Sequence, residues 1–252
     1  MKQLACWLIA LGLMACSKKE EEEVPQYSEP PGALKLEKIY TLPDATDPVR
    51  FGEYNYDAQG NLARVTYYEY PDLKYYYEEK EYNDQHRLSR EVSYVRQNET
   101  MAKGVTTVYD YEDDLLVRKS FYDDKEEFFA EHLLEYDSLG NHTKLSVYNS
   151  ELQLFGYTIY QYKENQLANQ FDYAKDPYEE AIVRAYEYRY DDQGQLQTRF
   201  FMADDLTYVR DWVKPGVEEM YSYDQQGRLS EKIRYDPWWG YGVTEVVGYE
   251  YF

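Results

Sequence analysis

Paired carboxylates are the groups in this chain best suited to chemistry: Asp113-Asp114, Asp123-Asp124, Glu126-Glu127, Asp191-Asp192 and Asp204-Asp205. Two carboxyl groups flanking a glycosidic bond, one an acid and the other a base or nucleophile, would hydrolyse a polysaccharide. Several of these Asp residues, however, sit where a turn already uses them, and charged loops are the plainer reading. A calcium loop of the form Asp-x-Asp-x-Asp-Gly is absent. His86, His132 and His142 are scattered without His-x-x-x-His spacing, and both cysteines, Cys6 and Cys16, precede the body of the chain. No metal site, cofactor or disulfide is therefore expected. The most unusual local composition is Trp238-Trp239-Gly240-Tyr241-Gly242, with Trp212 upstream. It suits a cap on a sheet end, or an exposed platform for a sugar ring or a protein partner.

The elements that must position these residues repeat one phrase. Tyr56-Asp57-Ala58-Gln59-Gly60-Asn61-Leu62 returns as Tyr190-Asp191-Asp192-Gln193-Gly194-Gln195-Leu196 and as Tyr223-Asp224-Gln225-Gln226-Gly227-Arg228-Leu229. Tyr136-Asp137-Ser138-Leu139-Gly140-Asn141 is a further copy, and Tyr82-Asn83-Asp84-Gln85-His86 puts His86 in the glycine slot. Asp at the first turn position accepts the amide hydrogen two residues on, and Gly supplies a left-handed residue that closes a bulged hairpin. His is enriched at positive φ, so that copy also predicts a turn. The copies at Tyr111 and Tyr162 are one residue shorter, and Asp114 or Asn165 is expected to be left-handed there. From copy to copy the step is 26, 29, 25, 26, 28 and 33 residues, enough for two strands and two connections.

Tyr-x-Tyr precedes most of these turns, as in Tyr54-Tyr56, Tyr109-Tyr111, Tyr160-Tyr162 and Tyr188-Tyr190; Lys80 and Leu134 replace the first Tyr in two copies. Period two puts each pair on one face, with Asn55, Asp110, Gln161 and Arg189 on the other. Stacked across the sheet, the tyrosines should form aromatic ladders whose hydroxyls need partners. The motif, from about residue 50 to 251, resembles the YD-repeat (RHS-repeat) family. That resemblance implies a long β-sheet that curls into a spiral or shell, and it is poor in functional information.

The amino terminus has a different character. Lys2 and the apolar run Leu4–Ala15 read as a secretory signal peptide over residues 1–15, too short to span a bilayer. Leu13-Met14-Ala15-Cys16 resembles the bacterial lipobox, which implies lipid attachment at Cys16. Residues 16–33, with Ser17-Lys18-Lys19-Glu20-Glu21-Glu22-Glu23 and Pro25, Pro30 and Pro31, form a charged tether that cannot bury a core. The acidic run resembles the surface-export signals of Bacteroidetes lipoproteins.

A net charge of −21, from 48 acidic and 27 basic residues, speaks against nucleic-acid binding. Glu53, Glu79, Glu81, Glu187 and Arg189 would interrupt the apolar band of a transmembrane barrel. The expected fold over residues 34–252 is all-β: a repetitive antiparallel meander, coiled or curled, of about sixteen strands. The expected function is a non-enzymatic outer-membrane surface lipoprotein that binds or scaffolds, with a glycan or protein ligand. The alternative is a surface hydrolase acting on polysaccharide.

Overall fold

The computed structural model describes residues 30–40, 46–175, 180–202, 215–236 and 243–252. The chain begins β1 (Leu34–Tyr40), β2 (Arg50–Tyr56), β3 (Leu62–Glu69), β4 (Leu73–Tyr82), β5 (Leu88–Gln97) and β6 (Thr100–Glu112). Next come β7 (Leu115–Tyr122), β8 (Phe128–Tyr136), β9 (His142–Asn149), β10 (Leu154–Lys163) and β11 (Gln166–Lys175). It finishes with β12 (Glu180–Tyr190), β13 (Leu196–Phe201), β14 (Gly216–Tyr223), β15 (Leu229–Tyr235) and β16 (Val243–Tyr251). Every strand pairs antiparallel with its neighbours in sequence, and β1 pairs with both β2 and β16. The meander therefore closes into a barrel of sixteen strands, which removes the exposed edges an open sheet would carry.

The repeated phrase builds one end of this barrel, here called the turn end. Asp57 Oδ1 accepts the amide hydrogens of Gln59 and Asn61 at 2.9 and 2.8 Å, and Gly60 N–H donates to the Asp57 carbonyl at 3.0 Å. Asn83, Asp137, Asp191 and Asp224 make the same pair of side-chain contacts. The residue in the glycine slot is left-handed throughout: φ is 86° at Gly60, 82° at Gly140 and Gly194, 77° at Gly227 and 57° at His86. Gly227→Val should destabilise the barrel by about 1 kcal/mol or more in a denaturant titration. Gly248→Ala should be tolerated, since Gly248 has no positive φ and nothing lies within 4 Å of the added carbon.

Two features of the turns depart from the sequence reading. At the short copy after Tyr111, Asp113 (φ 52°) is left-handed and Asp114 is not, because one form of two-residue hairpin loop puts its positive φ at the first central residue. At the opposite, distal end the same device recurs without glycine: Asp123 and Asn149 cap turns in which Glu126 (φ 63°) and Leu152 (φ 57°) are left-handed. The Asx contacts hold these two residues where their side chains would otherwise resist.

A register shift precedes the second tyrosine of each copy, between Asn55 and Tyr56, Glu81 and Tyr82, Asp110 and Tyr111, and Glu135 and Tyr136. It recurs between Gln161 and Tyr162, Arg189 and Tyr190, and Ser222 and Tyr223. Such bulges increase local twist and bend, which is how regular hairpins curl far enough to close.

Apart from Tyr136 and Tyr160, which His142 bridges through ring contacts of 5.4 and 4.6 Å, the Tyr-x-Tyr residues do not build the expected aromatic ladders. Each copy occupies every second strand, so the residue beside Tyr54 is Val65 and the next across is Glu78. The tyrosines hydrogen-bond instead. Tyr56, Tyr82, Tyr111 and Tyr136 donate to the carbonyls of Leu34, Leu62, Leu88 and Leu116 at 2.8–2.9 Å. Tyr190, Tyr223 and Tyr251 reach those of Leu167, Leu196 and Leu229 at 2.7–3.0 Å. Each bond spans two strands just where their ladder has ended, tying one repeat to the preceding one. Stacking occurs on the other face between directly opposed rings: Phe51–Tyr68 (4.8 Å), Tyr77–Tyr94 (4.4 Å) and Tyr157–Tyr173 (4.5 Å).

Candidate functional site

The most enclosed ion pairs share one face of the barrel wall. Ion pairs on the Tyr-x-Tyr face include Lys80 (11% exposed side chain) with Glu78 (23%), and Arg199 (25%) with Glu218 (15%) and Glu219 (3%). Pairs on the other face, such as Arg90–Glu81, Arg118–Asp110 and Arg189–Glu187, are 34–61% exposed. Side chains converge on a concave surface and splay on a convex one, so the tyrosine face lines the lumen. The residues expected to interrupt a lipid-facing band, Glu53, Glu79, Glu81, Glu187 and Arg189, all share the outward face by register.

The lumen is polar. Tyr54 donates to Glu37 at 2.7 Å, and Tyr76 to Glu78 at 2.7 Å. Lys80, which replaces a tyrosine, puts its ammonium between Glu78 and Glu91. Burial would lower its pKa, but the two carboxylates raise it above the ordinary lysine value. Across the closure of the barrel, from β2 to β13, a chain of alternating charge runs Arg50–Glu245–Arg234–Glu219–Arg199–Glu218, at 2.8–3.5 Å per link. Tyr221 donates its hydroxyl to Glu219 as well.

Consecutive strand residues normally point to opposite faces, yet Glu218 and Glu219 both reach Arg199. The register shift between Arg199 and Phe200 makes this geometry, by leaving Glu218 unpaired between Glu219 and Val217. Their environments push the two carboxyls apart. Burial raises the pKa of Glu218, with Arg199 opposing it. For Glu219 burial is outweighed by Tyr221, Arg199 and Arg234, which hold it below the ordinary range.

Beside this chain lies a cavity of about 340 Å³, lined by Gln170, Asp172, Arg184, Tyr186, Arg199, Glu218 and Arg234. Its lining places it toward the distal end, where β11 and β13 finish and β12 and β14 begin. Its far wall is a second network: Tyr188 donates to Gln170 (2.6 Å), and Gln170 and Thr158 both donate to Asp172 Oδ1 (2.9 and 2.8 Å). Burial pushes the Tyr186 and Tyr188 hydroxyls up to about 12, and Tyr188 donates to Gln170 as a neutral phenol.

The sequence-predicted residues fall elsewhere. Cys16, Trp212, Trp238, Trp239 and Tyr241 lie outside the described residues, as do Asp204 and Asp205. Asp57, Asp191 and Asp224 and Gly60, Gly140, Gly194 and Gly227 all sit in turns at the turn end, remote from the cavity. His132 is packed on Phe121, with ring centroids 4.6 Å apart, and His142 lies between Tyr136 and Tyr160. Burial depresses the pKa of both imidazoles. Among the described residues no group of three or more His, Cys, Asp or Glu could hold a metal ion. Nor is any helix there long and apolar enough to cross a membrane, which says nothing of strands. The sequence did not reveal the cavity because Arg184, Arg199 and Glu218 come from three different strands, each with an ordinary alternating pattern.

Fold and lumen together define the class: a closed, sixteen-stranded antiparallel meander barrel with an ionised, hydrogen-bonded interior. No family model matches the chain, and no curated protein matches its sequence. Among solved structures it is similar to a porin-like protein from Bacteroides uniformis ATCC 8492, at 10% identity and a TM-score of 0.54, covering 89% of this chain and 100% of that one. A structure of TcdB2-TccC3 (14% identity, TM-score 0.25) is matched over 76% of this chain and 14% of that one. A Bacteroides fragilis NCTC 9343 protein of unknown function (15%, TM-score 0.25) is matched over 50% of this chain and 91% of that one. The first of these shares the barrel fold; the other two are too distant to bear on it.

Proposed function

We propose that this is a YD-repeat-like, lipid-anchored outer-membrane surface protein that binds a ligand at the distal mouth of its barrel and performs no chemistry. One juxtaposition carries this reading. The chain enters the barrel at the turn end, where Gly32 N–H donates to the Phe252 carbonyl and Pro30 packs beside Gly60. The cavity lies at the other end. A lipid on Cys16 would thus hold the turn end toward the membrane and direct the cavity away from it. The strand termini flanking Trp212 and Trp238-Trp239, namely Phe201, Gly216, Tyr235 and Val243, lie at the same distal end as the cavity. A β-barrel is also compatible with an outer-membrane location.

Cys16→Ala should abolish incorporation of labelled fatty acid; retained label would remove the anchor from this account. A glycan-array screen of the lipidated protein, with Trp238 and Trp239 replaced as the comparison, tests for the ligand.

The second reading is a surface hydrolase acting on polysaccharide, favoured by the divergent carboxyls Glu218 and Glu219 at one cavity. Binding is preferred because guanidinium groups engage both carboxylates, leaving neither free to shuttle a proton to a leaving group. Release of reducing ends from a polysaccharide, lost in Glu218→Gln, would reverse that preference.

A further inference from the structure

We propose that the distal cavity is a subsite for a carboxylated sugar, with Arg184 clamping the carboxylate and Asp172 accepting hydroxyl hydrogens. The inference rests on the binding reading above and names the ligand class for that site.

Three cations, Arg184, Arg199 and Arg234, face two carboxylates, Asp172 and Glu218, in the lining of the cavity. Glu219 and Glu245 stand behind the lining and pair with two of these arginines, which leaves Arg184 as the cation to be accounted for. The three arginines are not equivalent. Arg199 is held by Glu218 and Glu219, and Arg234 by Glu219 and Glu245. Arg184 is solvent-exposed and makes no ion pair or hydrogen bond among the described residues. A guanidinium presents a planar fork matched to a carboxylate, which it binds through two parallel hydrogen bonds.

Directly across the strand pair is Asp172. Its Oδ1 accepts from Thr158 and Gln170, while Oδ2 has no hydrogen-bond partner among the described residues. Asp172 is half-buried, and this oxygen can accept from a ligand hydroxyl in place of solvent. An ammonium would be repelled by Arg184, and sulfate would bring twice a carboxylate's charge up to Asp172, directly across from it. A neutral hydroxyl suffers neither penalty. A ligand with its negative charge at one end and hydroxyls at the other therefore fits both groups, which is the layout of a uronic acid. The volume, about 340 Å³, is near the lower end of the roughly 300–1,000 Å³ of ligand pockets, suited to a ring-sized group.

The test is calorimetric titration of the full-length lipidated protein in detergent with glucuronate, glucose, glycine and sulfate. Glucuronate should bind saturably and at least tenfold more tightly than any of the other three. Arg184→Ala should weaken glucuronate at least tenfold, Arg184→Lys less so, and Asp172→Asn should lower affinity for glucuronate. Since Arg184 makes no ion pair or hydrogen bond with another described residue, Arg184→Ala should melt like the parent, so a loss of binding cannot be ascribed to unfolding. Equal binding of glucose and glucuronate, tighter binding of glycine or sulfate, or an Arg184→Ala variant of undiminished affinity would overturn the proposal. If array glycans bind and Arg184→Ala leaves them unaffected, this ligand class is wrong and the binding reading stands. If nothing binds, on the array or in titration, both fall.

Discussion

Glu219→Ala should lower the stability of the barrel by about 3–5 kcal/mol, the cost of removing one member of a buried charge network. Glu219 is 3% exposed, and its carboxylate joins Arg199, Arg234 and the Tyr221 hydroxyl. Without it Arg234 keeps Glu245 and Arg199 keeps Glu218, but the link between those pairs is gone. At roughly 2–4 °C per kcal/mol for a chain of this size, the midpoint should fall by about 6–20 °C in a thermal melt. Glu187→Ala, on the outward face with a half-exposed partner, is the comparison and should lower stability by no more than ~1 kcal/mol. Equal melting of the two variants would mean that the luminal network does not hold the wall together.

The same carboxylate gives the protein an acid limb. A group whose pKa is lowered on folding contributes stability above its unfolded value, and that contribution is lost as pH falls through the folded one. Glu219 is lowered from 4.5, and the turn residues Asp57, Asp137 and Asp224 from 3.8. Glu218 runs the other way: raised above 4.5, it favours the folded state as it takes up its proton. The net expectation is stability that declines below about pH 4.5, and less steeply in Glu219→Ala than in the parent.

The second large effect concerns the tyrosine hydroxyls. Tyr56→Phe, Tyr111→Phe and Tyr190→Phe together should destabilise the barrel by about 3 kcal/mol, near 1 kcal/mol for each lost hydrogen bond. These residues donate to Leu34, Leu88 and Leu167, on different hairpins. Distant sites with no shared partner add, so the triple variant should equal the sum of the singles within about 0.5 kcal/mol. A triple variant no less stable than any single would show that the ring, rather than the hydroxyl, is what the repeat requires. Denaturant midpoints at constant slope read the difference.

Much of this architecture was legible because it depends on near neighbours. Asp57 and Gly60 are three residues apart, and the bonds of the turn all close between Asp57 and Asn61. Copies with His86 in place of glycine, or with Asn83 in place of Asp, remained recognisable because the substitute satisfies the same local need. The distal turns at Glu126 and Leu152 were not legible, since there a side chain that resists positive φ is held by contacts from Asp123 and Asn149. Alternation placed the Tyr-x-Tyr residues on one face, but stacking was the wrong expectation. The spacing between repeats is two strands, and an aromatic ring directly touches only the next.

By itself the sequence determined the strands, the turns at one end, the shared face of the tyrosines and the acidic balance, because each follows from bonds or periodicities within a few residues. Closure of the ring between β1 and β16, the inward turn of both Glu218 and Glu219, and the meeting of Asp172, Arg184 and Arg199 were decided only in the folded barrel. Those features depend on how bulges accumulate into curvature and on which distant strands that curvature brings together. No stretch of chain read alone contains that information.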